Sequence, residues 1–68
     1  MTKTIAIEGM HCQHCVAAVN EALEAVSGVT SVKVSLEKNN AVVEGEGLDD
    51  AALKAAVEDT GFDVAGIN

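Results

Sequence analysis

The sequence predicts an α+β sandwich, with four strands in one antiparallel sheet and two helices on one face of it. Three observations predict this. Apolar residues alternate with period two in short segments and recur at three- and four-residue steps in two longer ones, in the order strand, helix, strand, strand, helix, strand. No link between these segments is long enough to divide the chain, so residues 1–68 read as one domain. Proline is absent, which suits strands that all need their ladder donors.

Taken in order, Thr4-Ile5-Ala6-Ile7-Glu8 places Ile5 and Ile7 on one face, and Gly9 ends this strand with backbone angles that other residues avoid. From Cys15 the period changes. Val16, Val19, Leu23 and Val26 form one stripe, with Asn20, Glu21 and Glu24 opposite, an amphipathic helix of roughly three turns. Ser27-Gly28 stops it, with Gly28 expected as a left-handed cap and Val29 folding back as its apolar partner. Val32, Val34 and Leu36 then alternate with Ser31, Lys33 and Ser35 in a second strand. Glu37-Lys38-Asn39-Asn40 carries turn chemistry, and Ala41-Val42-Val43-Glu44 completes a hairpin. Alternation leaves open which of Val42 and Val43 faces the core. After the Gly45-Glu46-Gly47 link, Asp49 reads as a helix N-cap, with Leu48 placed to staple onto Leu53. Leu53, Ala56 and Val57 give that helix its buried stripe, and Asp50 favours its positive end. Thr60-Gly61 ends it, and Phe62-Asp63-Val64-Ala65 is a last short strand. Two successive βαβ halves on one sheet make the ferredoxin-like arrangement. With single apolar faces on three strands, the other sheet face should be open to water.

Composition narrows the function. A chain of 68 residues buries only about 60% of its unfolded surface. Two cysteines at i and i+3 could staple almost nothing, so the fold must rest on an aliphatic core, with Phe62 its only aromatic. Four lysines, no arginine and a net charge of −7 argue against nucleic acid and anionic membranes, and permit steering toward a basic protein patch. There is neither a membrane-length apolar run nor a signal-peptide core, so the expected location is the cytoplasm. Thiols stay reduced there, and a Cys-x-x-Cys pair is more often metal-binding or catalytic than structural.

All the soft donors lie in one stretch, Gly9-Met10-His11-Cys12-Gln13-His14-Cys15. A helix beginning near Cys15 puts Cys12 in the loop before it and Cys15 in its first turn, near enough for both sulfurs to reach one ion. Free amide hydrogens and the positive end of the helix favour thiolate over thiol. Two thiolates suit a soft monovalent ion such as Cu(I), whereas structural zinc wants four closed ligands. The rival from a different class is a thiol–disulfide redox protein, which the missing Trp and Pro around the motif weaken. His14 reads equally as a solvated residue or a modulator of the thiolates; His11 reads similarly, but lies closer to the exposed sulfur, where it could serve as an auxiliary third donor. Met10 offers a thioether, but a Met between strand and helix more often plugs the core beneath a loop. Phe62 is first a core residue, and the acidic run Glu44, Glu46, Asp49, Asp50 a solvated link and helix start.

The Gly-Met-x-Cys-x-x-Cys motif, the helix after it, Ser27-Gly28-Val29 and the late Gly61-Phe62 together resemble the heavy-metal-associated domain family, most closely its bacterial copper chaperones. The resemblance covers nearly the whole chain. It implies a ferredoxin-like fold and Cu(I) held by Cys12 and Cys15, with no catalytic activity. It also implies delivery to the soluble domains of a copper-transporting P-type ATPase, or to a copper-responsive repressor, and copper could bridge two copies of the chain into a homodimer. His11 stands where copper members commonly have Ser or Thr, and Phe62 where bacterial chaperones often have Tyr. The readings left beside this one are a metal-binding domain excised from such an ATPase and a carrier of Hg(II) or Zn(II).

Overall fold

The computed structural model describes residues 1–68, in the element order β1 (Thr2–Glu8), α1 (Gln13–Glu24), β2 (Val29–Ser35), β3 (Asn40–Gly45), α2 (Asp50–Asp59) and β4 (Asp63–Ile67). The four strands form one antiparallel sheet in the order β2-β3-β1-β4, the ferredoxin-like arrangement expected. β1 is thus an inner strand, and its end opens directly into the cysteine loop.

Strand register settles which side chains face the helices. Ile5 stands opposite Ala41, and Lys3 opposite Val43. Ile5, Ile7, Ala41 and Val43 meet Val19 and Leu23 of α1 and Leu53 and Val57 of α2 in one apolar cluster with no buried polar side chain. Burying a Val, Leu or Ile side chain contributes about 1.5–3 kcal/mol, so the seven of these carry much of the fold's stability. Val42 belongs to the other face, beside Ser31, Lys33 and Glu44 around a shallow depression. The question that alternation left open is answered by pairing: Val43 goes in and Val42 out.

Boundaries differ from expectation at several points: β4 runs Asp63–Ile67, two residues further than expected and without Phe62, and at the end of α1 and at the hairpin the reasons are physical. α1 ends at Glu24 with Ala25 as its C-cap, so Val26 lies beyond the helix, half-buried but packed on the core. Ala25 donates to the Ala22 carbonyl and Val26 to that of Leu23, a tightening of the last turn. Gly28 is therefore not the helix cap. Its φ of +90° turns the chain into β2, and a Cβ there would strike the Glu46 carbonyl. The close approach is used: the Glu46 N–H donates to the Gly28 carbonyl at 2.9 Å. At the hairpin, β2 stops at Ser35 and Leu36 enters the turn, where Asn39 takes φ +53°, a conformation Asn tolerates.

Candidate metal centre

α1 begins two residues earlier than its periodicity suggested, at Gln13, with Cys12 as N-cap. The Cys12 backbone is extended (φ −153°, ψ 169°), and its carbonyl accepts from the N–H groups of Cys15 at 3.1 Å and Val16 at 3.3 Å. Cys12 makes no side-chain capping bond, and the first turn holds no acidic residue. Cysteine is a poor cap, which is why no sequence signal marked this start. The consequence is a helix mouth whose free N–H groups and positive end have no carboxylate to answer them.

Sulfur stands in that space. The Sγ atoms of Cys12 and Cys15 lie 3.3 Å apart, both as free cysteines, Cys12 exposed and Cys15 half-buried against the core. That separation is well beyond the roughly 2.05 Å of a disulfide. It is shorter than a linear two-sulfur site needs: with metal–thiolate bonds of about 2.3 Å, an S–metal–S unit spans about 4.6 Å. Parting the sulfurs by a little over an ångström is within reach of the exposed Cys12 side chain. The Cys15 thiol is held below its ordinary range, first by the backbone N–H of His11, then by the Cys12 side chain, with the N–H groups of Cys12 and Cys15 adding to it and partial burial opposing it. The backbone donor of His11 was invisible in the sequence, because an amide has no residue-type signature.

The neighbours sort as follows. Met10 is 4% exposed and belongs to the core cluster, so it plugs the loop from below and offers no open thioether. His11 and His14 are both exposed. No group of three or more His, Cys, Asp or Glu side chains converges anywhere in the chain, so neither imidazole joins the sulfurs as a further donor. Phe62 is half-buried and packs against the core, with its ring beside Gly9. The acidic run lies elsewhere: Asp49 caps α2, accepting from the Ala51 N–H at 3.1 Å, and Asp50 pairs with Lys3 at 3.2 Å.

Comparison with known proteins gives consistent matches. Residues 4–63 match the heavy-metal-associated domain family. The copper chaperone CopZ of Staphylococcus saprophyticus is 45% identical over 67 residues, covering 93% of this chain and 96% of that one. Among solved structures, a CopZ metallochaperone superposes with a TM-score of 0.91 at 37% identity, over 96% of this chain and all of that one. A copper binding domain from HMA7, a P-type ATPase, superposes at 0.88 with 30% identity, over 100% and 99% of the two chains.

Proposed function

Since the chain belongs to the heavy-metal-associated domain family, we propose that it is a copper chaperone, taking a cuprous ion between the sulfurs of Cys12 and Cys15 and passing it on by ligand exchange. The observation that carries this reading is the pair of free thiols 3.3 Å apart at an uncapped helix mouth, one of them exposed. Two sulfurs without a third convergent donor suit a soft ion content with few ligands, and fail the closed tetrahedron that structural zinc demands.

The same geometry favours transfer over storage. An incoming thiolate can attack the ion from the solvent side and displace Cys12, and a second from the same partner then displaces Cys15, so that the ion leaves with two new sulfurs and is never free. The receiving partner is a metal-binding domain of a copper-transporting P-type ATPase, a class represented among the structural relatives. A copper-responsive repressor, or a second copy of this chain, would meet the same exposed sulfur. The protein is a carrier and not an enzyme; residues 1–68 act as one domain, in the cytoplasm, where the thiols stay reduced. No helix is long and apolar enough to cross a membrane.

Anaerobic competition between the reduced protein and a Cu(I)-specific chelator tests the reading. One ion per chain is expected for the native sequence and none for Cys12→Ser or Cys15→Ser. Equal copper retention by either serine variant would overturn it, as would preferential capture of Zn(II) or Hg(II).

A further inference from the structure

The two edges of the sheet are finished differently. β4 is five residues long, shifts register beside Ala6 and Ile7, contains Gly66, and has Asp50 and Lys54 of α2 beside it around a shallow depression. Short length, a bulge and nearby charge are devices that keep an edge strand from pairing further. β2 is seven residues long and mostly β-branched, its register shift is confined to Val29–Ser31, and Lys33 is its one charge.

Hydrogen-bond parity shows what the β2 edge offers. The Gly45 N–H donates to the Met1 carbonyl and the Ile7 N–H to that of Asn39, so Ala41, Val43 and Gly45 of β3 address β1. Asn40, Val42 and Glu44 therefore address β2, where they stand opposite Ser35, Lys33 and Ser31. The alternate residues Val32 and Val34 turn their N–H and C=O groups outward, and their half-buried side chains border the core.

We propose that a second copy of this chain adds to the β2 edge, antiparallel and about a two-fold axis at Val32. In that register Val32 meets its own counterpart, Val34 meets Thr30 of the second copy, and Lys33 meets Ser31. Centring the pair on Lys33 would set two ammonium groups face to face, which disfavours it. Glu44 stands beyond Ser31 on the same rung, and Lys33 and Glu44 are both exposed around one depression on the open sheet face. Each lysine thus reaches over a small serine toward a carboxylate of the other copy, twice by symmetry. The lysine selects the register. β2 runs parallel to β1, since each is antiparallel to β3, so pairing two β2 strands head to tail sends the thiol loops to opposite ends of an eight-stranded sheet. The association therefore needs no copper, and no single ion can bridge it.

So few rungs make a small contact, and the association is weak and reversible. In sedimentation equilibrium of the reduced protein with a Cu(I) chelator present, the mass should rise with concentration from 6.9 kDa toward twice that value. Amide protons of Val32 and Val34 should gain protection from exchange over the same range. Lys33→Glu and Glu44→Lys, each shown to be folded by circular dichroism, should each weaken association about tenfold, because symmetry counts the like-charge contact twice. An equimolar mixture of the two variants should recover it, since opposite charges then meet at both contacts. A monomer at every concentration overturns the proposal, as does association that appears only with copper. It is equally overturned if both variants associate like the native chain, or if their mixture does no better than either alone.

Discussion

The two helices begin in opposite ways. At α2, Asp49 supplies a carboxylate that accepts the Ala51 N–H at 3.1 Å, and Asp50 follows in the first turn. At α1, the capping position is Cys12, which makes no side-chain bond, and the first turn has no acid. One mouth is closed for stability. The other is left electropositive and unsatisfied, with two sulfurs in front of it. The difference teaches that the loop's chemistry is set by what is withheld from α1 as much as by the cysteines. An oxygen cap at Cys12 would take up N–H groups of that first turn, among them that of Cys15, which adds to the lowering of the Cys15 thiol.

Several substitutions would break or sharpen that contrast. The largest effect belongs to Cys15→Ser, which should lower Cu(I) retention by more than about a hundredfold in chelator competition, beyond the usual loss for a merely supporting residue. Asp49→Ala should cost about 1 kcal/mol in denaturant unfolding and leave copper affinity as it was. Cys12→Ser should act in the opposite sense on both counts. Serine is a good cap, so the reduced apo-protein should gain about 0.5–1 kcal/mol while copper capture is lost. Stability falling in that variant would mean that the mouth of α1 is not underused after all.

A smaller effect should appear with pH. The folded Cys15 thiol titrates below its ordinary range, mainly through the His11 N–H and then Cys12. The thiolate's contribution to apo-protein stability is therefore full above the unfolded thiol value of about 8.5 and is lost as pH falls through the folded value. Unfolding curves for the reduced protein, compared with Cys15→Ser, should diverge as pH rises through that window. Parallel curves would count against a tuned thiol.

Much of this was readable beforehand, and the failures have particular causes. The element order, the buried Leu48 and Leu53 and the Asp49 cap follow from local patterns, because periodicity and capping act over a few residues. The start of α1 was missed because a cysteine cap carries no stability signal; function had displaced it. Gly28 departs from its expected place as a cap for a different reason. Its positive φ serves a backbone contact with Glu46, eighteen positions away, which no local pattern encodes. At the centre, the sulfur pair and the Met10 plug could be foreseen, but the Gly9–Phe62 contact depends on β1–β4 register. The His11 amide is hidden similarly, since every residue but proline has one.

The inner place of β1 has one more consequence. Its neighbours are β3 and β4, both later in the sequence, and β4 closes the ladder beside the loop. On the ribosome, the cysteines would emerge long before anything could hold them in their final pose. A nascent chain would carry bare thiols without a shaped cradle until its last strand had docked. Such delayed, long-range closure slows folding, and it would confine selective loading to finished molecules.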